Sequence, residues 1–178
     1  QDISDMLFSF YRHRVGKLTG TGCADMIGFI NTLDKEAKYP DIQYLFMCFY
    51  KNMIGIEQIL SNFGYGDEYL AELFKINKKT PILKIGNVLL NPKSRGSVNL
   101  RSTNPYDAPI INAGYLEDEE DLETLLRGLK ELRRLLDTNT FKDHEVKEVR
   151  FNMPECDVHE FASDDYLKCY ITYFSTTL

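Results

Sequence analysis

The sequence predicts an α+β fold: a mainly antiparallel sheet of about five or six strands with helices packed on one face. Three features carry this. Apolar runs of strand length are bounded by turn signals, four segments place apolar residues at helical spacing, and strands and helices do not alternate regularly, as parallel βαβ units would require.

Taken in order, Ile3, Met6, Leu7, Phe10 and Tyr11 form one face of an amphipathic helix, with Asp2 and Asp5 at its start and Arg12, His13 and Arg14 at its end. Gly16 supplies its stop. A glycine-punctuated stretch from Gly16 to Gly22 leads into an expected strand over Ala24 to Thr32. After the turn signal Tyr39-Pro40-Asp41, the aromatic run from Ile42 to Tyr50 suits a strand buried on both faces, although periodicity does not separate it from a buried helix. Tyr69, Leu70, Leu73 and Phe74 predict a helix over Asp67 to Ile76.

Pro81 to Leu90 and Ser97 to Ser102 read as two strands across the Pro92 to Gly96 turn, and so as an antiparallel pair. The prolines at 105 and 109 restrict the loop that follows. The clearest element runs from Asp118 to about Leu136, with leucines at 122, 125, 126, 129, 132, 135 and 136 in one stripe and acid filling its first turn. A short strand is expected at Val146 to Phe151. Ser163-Asp164-Asp165 then caps a last helix that turns Tyr166, Leu167, Tyr170, Ile171 and Phe174 inward.

Composition narrows the function classes. The 178 residues suit one domain or two small ones, and 43% hydrophobic content supports a core. A net charge of −6 without a basic stripe argues against nucleic acid as a partner. No apolar run approaches the roughly 20 residues that cross a bilayer, so no membrane partner is expected and the chain reads as soluble. The N-terminus lacks the basic and apolar regions of a signal peptide, and its first residue, Gln1, suggests a processed or excised chain. Cys23, Cys48, Cys156 and Cys169 contain no C-x-x-C pair, which makes zinc an unsuitable ligand; one or two disulfides and four free buried thiols both fit.

Each chemical motif has a structural alternative. Gly16-Lys17-Leu18-Thr19-Gly20-Thr21-Gly22 fails the phosphate-loop spacing, because Leu18 follows Lys17, and fails the dinucleotide fingerprint, because Asp25 stands where the third glycine belongs. A structural turn explains it. His13, His144 and His159 lack ligands at helical spacing, and the Glu117 to Asp121 cluster suits a helix N-terminus better than a cation site. No Gly-x-Ser-x-Gly elbow or activated-cysteine signature supports a hydrolase. Tyr44, Phe46, Phe49 and Tyr50 could line a pocket, but core packing is the better account of each.

The segment Asn91-Pro92-Lys93-Ser94-Arg95-Gly96-Ser97-Val98-Asn99-Leu100, continuing through Asn104-Pro105 and Pro109 to Tyr115-Leu116 before a long helix, closely resembles the start of the C-terminal substrate domain of glucose/methanol/choline (GMC) flavin oxidoreductases. Gly16-x-Leu18-Thr19 and Pro40-Asp41-Ile42-Gln43 are weaker matches in the family's order, and the insect glucose-dehydrogenase-like branch is nearest. The resemblance implies an antiparallel sheet laid over the flavin of a separate FAD-binding domain, and a histidine in a His-Pro-x-Gly-Thr motif as the base for the alcohol proton. This sequence contains neither the Gly-x-Gly-x-x-Gly fingerprint nor that His-Pro motif.

No catalytic residue therefore carries over, and no metal ligand or cofactor-binding residue is assigned. The resemblance implies a substrate-pocket wall at Phe46, Cys48, Phe49 and Tyr50, with Leu178 just before the place of the missing histidine. It further implies that residues 1–178 form one substrate-binding domain, inactive alone, of an enzyme that oxidises the CH-OH group of a small alcohol or sugar. FAD and the FAD-binding domain of the same polypeptide are its expected cofactor and partner, with FAD not retained by this chain. A secreted location also follows from the resemblance alone; substrate identity and electron acceptor, oxygen or quinone, do not. The alternative is a free-standing binding or interaction module without flavin chemistry.

Overall fold

The computed structural model describes residues 3–19 and 26–176. Among these the class is α+β, with a three-stranded and a two-stranded antiparallel sheet. The chain divides into two compact units, one of residues 1–29, 43–88 and 178, the other of residues 30–42 and 89–177.

The first unit opens on α1 (Ile3–Phe8), which widens into a π-turn over Ser9–His13. The chain stops there because Arg14 takes a left-handed conformation, φ 58°, with its N-H on the Phe10 carbonyl; the stop lies two residues before the expected Gly16. Most of the apolar face of α1 is exposed, Ile3, Leu7 and Tyr11 included. The three-stranded sheet follows in the order β1 (Ile27–Ile30), β2 (Ile42–Phe49), β3 (Ile82–Leu89), its strand ends at Ile30, Ile42 and Leu89 falling in the second unit.

Between β2 and β3 the chain forms α2 (Ile56–Ser61) and α3 (Asp67–Asn77). α2 is too short to announce itself by periodicity, whereas α3 occupies the predicted place. Ile56 and Leu60 of α2 and Leu70, Leu73 and Asn77 of α3 are buried, at the i, i+4 and i, i+3, i+7 positions of one helical face. The α2–α3 connection reaches the sheet through Lys84 of β3, whose Nζ donates to the Tyr65 hydroxyl at 2.6 Å and stands 5.0 Å from the Phe63 ring and 4.8 Å from the Tyr65 ring. Such a cation over two rings ties the helical connection to that face of the sheet.

In the second unit β4 (Ser97–Asn99) pairs with β5 (Ile110–Asn112), with Val98 opposite Ile111. The expected partner of β4, the strand ending near Leu90, pairs with β2 instead. The reason lies in the intervening segment: the Asp121 carboxylate accepts the Lys93 and Ser94 amides at 2.8 Å each, so residues 92–96 run along the helix that follows and cannot fold as a hairpin turn. The hairpin connection is the proline loop itself.

That helix, α4 (Glu119–Arg133), is capped by Asp118, whose side chain accepts the Glu120 amide, and tightens into a 3-10 turn at Arg134–Asp137. Its buried residues are Asp121, Thr124, Leu125, Leu126 and Gly128, so of the predicted stripe Leu125 and Leu126 are buried while Leu122, Leu129 and Leu132 are only half-buried. After the short α5 (Asn139–Asp143), α6 (Asp164–Phe174) starts from the predicted cap, the Ser163 hydroxyl accepting the Tyr166 amide at 3.2 Å, and packs on α4.

The expected strand at Val146 to Phe151 is irregular. A strand needs a ladder partner, and this segment is held by side chains instead: Glu148 pairs with Arg133 at 3.0 Å, Arg150 with Asp157 at 2.7 Å, and both guanidiniums stand over the Phe161 ring. A disulfide between Cys156 and Cys169, with Cα atoms 5.6 Å apart, fastens the segment to α6. Cys48 is disulfide-bonded as well, and among the described residues no cysteine is free, which decides between the two cysteine alternatives. No helix of the described residues is long and apolar enough to cross a membrane.

Candidate functional site

Side chains alternate across a strand, so β2 divides into two rows. Met47 and Phe49 belong to one; Phe46, Cys48 and the following Tyr50 belong to the other. The face of each row follows from Gly86 of β3, where an added Cβ would stand 3.6 Å from the Leu45 Cβ. Leu45 lies in the row of Met47 and Phe49, and Gly86 lies in the row of Lys84, which the α2–α3 connection covers. The helical hairpin therefore backs Met47 and Phe49, and the other row of β2, buried at Ile42 and Tyr44, is the more exposed one only from Phe46 to Tyr50.

Burial agrees. Phe49 is 3% exposed, Met47 is buried, Phe46 and Cys48 are half-buried, and Tyr50 is 40% exposed. Of the sequence-predicted wall, Phe46, Cys48 and Tyr50 thus line one face in succession, whereas Phe49 points into the packed side. Leu83, Ile85 and Asn87 of β3 share the Phe46 face by the same alternation, Leu83 partly exposed. Leu178 lies outside the described residues, as do Gly20, Gly22, Cys23 and Asp25.

Two features shape this face. Gly28 of β1 lies against Tyr44 and Phe46, an added Cβ there meeting the Tyr44 ring at 3.4 Å and the Phe46 ring at 3.8 Å, so the strand carries a bare backbone beside the aromatic rings. At the far end, buried Asn77 holds the exit of β2: its Nδ2 donates to the Tyr50 carbonyl at 3.1 Å, its Oδ1 accepts the Met53 amide at 2.9 Å, and its carbonyl accepts the Asn52 amide at 2.8 Å. Asn52 takes φ 55° in that turn. Asn77 thereby sets the height of Tyr50. Sequence reasoning missed it, although a polar residue at i+7 of the Leu70, Leu73 stripe was the available signal.

The remaining candidates serve local structure. His13 meets the Phe8 ring edge to face at 5.7 Å, His144 ends α5, and the His159 amide donates to the Cys156 carbonyl at 3.0 Å. Lys17–Thr19 form a single 3-10 turn, with the Thr19 hydroxyl on the Gly16 carbonyl at 2.6 Å. In the acidic cluster Asp118 is the cap and Glu120 pairs with Arg127 at 2.8 Å, that bond and the guanidinium charge holding the Glu120 carboxyl below its ordinary range. Burial pushes the Asp121 carboxyl up, but hydrogen bonds from the Ser94 side chain and the Lys93 and Ser94 amides outweigh it together, and the group lies below the ordinary aspartate value. Among the described residues no three acidic, histidine or cysteine side chains gather as a metal site.

One further glycine turn invites comparison with a dinucleotide fingerprint. The Gly64-Tyr65-Gly66 turn opens α3, yet it follows a helix where a dinucleotide turn follows a strand, and Tyr69 stands in the third glycine position. The row from Phe46 to Tyr50 fits a flat, largely apolar wall against which a planar group or a small substrate could lie.

The family model described as GMC oxidoreductase matches residues 92–177. A glucose dehydrogenase (FAD, quinone) of Drosophila pseudoobscura pseudoobscura is 33% identical over 157 residues, which cover 88% of this chain and 23% of that protein. An ecdysone oxidase of Bombyx mori is 33% identical over 60% of the chain and 16% of its own length, and an alcohol dehydrogenase (acceptor) of Pseudomonas putida 32% over 80% and 22%. The chain thus spans about a quarter or less of the relatives it matches. Residues 92–177 place this chain in the GMC oxidoreductase family, as a carrier of the family's C-terminal domain.

Proposed function

We propose that this chain is the substrate-binding part of an FAD-dependent enzyme that oxidises the CH-OH group of a small alcohol or sugar, and that it is inactive without the flavin-binding part of the same polypeptide. The observation that carries this is the C-terminal end of β2: helices back Met47 and Phe49, while Phe46, Cys48 and Tyr50 in the other row are the less buried ones there. When bound in such an enzyme, FAD accepts the hydride from the alcohol carbon. The wall's contribution is to exclude water and to orient the substrate, since a flat apolar surface displaces solvent from the reacting face.

Within this reading residues 1–178 act as one substrate-binding domain, and the pocket lining is Phe46, Cys48 and Tyr50, with Phe49 as backing and Leu178 at the rim. Cys48 acts through its shape, because its thiol is already oxidised. None of the three histidines lies on β2 or β3, so the base for the hydroxyl proton comes from elsewhere in the polypeptide. The disulfides support a protein that works in an oxidising compartment, in keeping with secretion.

The test is expression of the parent coding sequence beyond both ends of these 178 residues. A product that carries flavin, bleached anaerobically by an alcohol or sugar, supports the reading; Phe46→Ala or Tyr50→Ala then lowers kcat/KM about tenfold with flavin content unchanged, a loss of about 1.4 kcal/mol in the transition state. A flavin-free product overturns it in favour of an interaction module. Stoichiometric flavin on the 178-residue chain alone, reducible by an alcohol, refutes the claim that the chain is silent.

A further inference from the structure

The β4–β5 ribbon exposes an apolar face that its own unit leaves uncovered. Val98 and Ile111 are directly opposed, and Leu100 continues their row two residues on; they are 71%, 70% and 86% exposed, and Tyr106 at the tip is 93% exposed. A two-stranded ribbon with its apolar side chains in water is marginal by itself. This one is nevertheless held firmly at both ends.

At the base, Gly96 and Gly114 let two backbones touch: an added Cβ at Gly96 would meet the Asn112 and Ala113 carbonyls, and one at Gly114 would meet the Arg95 carbonyl. The Asp121 carboxylate grips the Lys93 and Ser94 amides, and the Ser94 hydroxyl accepts the Asp118 amide at 3.0 Å. At the tip, Asp107 accepts from the Ser102 hydroxyl at 2.6 Å and the Asn104 amide group at 3.0 Å, while Arg101 Nε donates to the Ala108 carbonyl at 3.0 Å. These bonds order the tip from within, and the row of Val98, Leu100 and Ile111 presents an apolar surface. An arm ordered in advance loses little conformational entropy on docking.

We propose that the Val98, Leu100 and Ile111 face, with exposed Tyr106 in the connecting loop, is a preformed docking arm covered by the flavin-binding part of the same polypeptide. This rests on the reading of the chain as part of a longer flavin enzyme. The matched relatives extend well beyond the aligned stretch, which is 23% of the first glucose dehydrogenase, so a covalently linked surface is at hand. A linked partner meets the arm at an effective concentration in the millimolar range. A second copy is the weaker occupant, because three aliphatic side chains and a tyrosine fall short of the ~800 Å² per partner of a standard interface.

The test is thiol accessibility. Leu100→Cys is placed both in the 178-residue chain and in the product of the parent coding sequence, and its reaction with a maleimide is timed; Leu100 is so exposed that the change spares the fold, and no described cysteine is free to compete. Labelling at least tenfold slower in the longer, flavin-loaded polypeptide is the expected result. Equal rates overturn the arm. Protection that rises with concentration of the 178-residue chain alone also overturns it, in favour of a second copy. Flavin content is read separately on the same preparations, so a flavin-free product refutes the functional reading while the rate ratio still decides the arm.

Discussion

Asp121 and Asn77 do similar work in the two units: each is a buried polar side chain that accepts backbone amides the fold would otherwise strand. Asp121→Ala leaves the Lys93 and Ser94 amides without an acceptor, and the expected loss is about 3 kcal/mol by urea unfolding. The same carboxyl makes stability depend on acid. Asp121, Glu120 and Asp157 all lie below their ordinary values, Asp157 chiefly through its hydrogen bond from Arg150, so their stabilising contribution is complete above the unfolded-state pKa and is lost as pH falls through the folded-state value. Urea midpoints should therefore stay level from about pH 7 to pH 5 and drop below about pH 4, with a shallower drop in Asp121→Asn. Asn77→Leu keeps the branched shape at a larger volume and strands the Met53 amide and the Tyr50 carbonyl; about 2 kcal/mol is the expected cost, read by the same measurement. The sequence offered only hints of either, Asn77 continuing the Leu70, Leu73 stripe and Asp121 within an acidic helix start, because which amides they accept depends on what surrounds them.

At the scale of elements, the helices with strong caps and stripes were legible. Ser163 caps the helix it was expected to cap, Asp118 proves to be the cap of the helix expected to start there, and α3 needs only local spacing to be found. The segment between α5 and α6 was not legible, since its order comes from the Arg133, Arg150 and Phe161 stack and from the Cys156–Cys169 bridge. That bridge spans a sequence separation of 13, for which loop closure gives a stabilisation of about 3 kcal/mol. Reduction, or Cys156→Ser with Cys169→Ser, should lower the urea midpoint accordingly; an unchanged midpoint would show that the Arg-Phe stack holds the segment unaided. The aromatic run announced the strand β2, but only its burial shows that Met47 and Phe49 face the packed side while Phe46, Cys48 and Tyr50 are less buried.

For the whole molecule, the consequence of the exposed ribbon is surface chemistry in the isolated chain. Scattered exposed apolar residues are ordinary, whereas Val98, Leu100 and Ile111 in one row form a contiguous patch. A hydrophobic dye should bind this chain, and Val98→Lys combined with Leu100→Lys should lower that binding by more than half without shifting the urea midpoint. Dye binding that is insensitive to both changes would move the sticky surface elsewhere, for example to the open face of α1.

The sequence by itself determined the α+β class, the capped helices and the Pro92 to Leu116 pattern by which the family is recognised, because capping, helical spacing and motif order are encoded among near neighbours. Only the tertiary structure decided that β4 pairs with β5, which row of β2 the helices back, and that residues 146–151 are not a strand. Those outcomes depend on contacts between residues distant in the chain: Asp121 with Lys93, Asn77 with Tyr50, and Cys156 with Cys169. Strand pairing and burial are settled by such contacts, and local pattern carries no record of them.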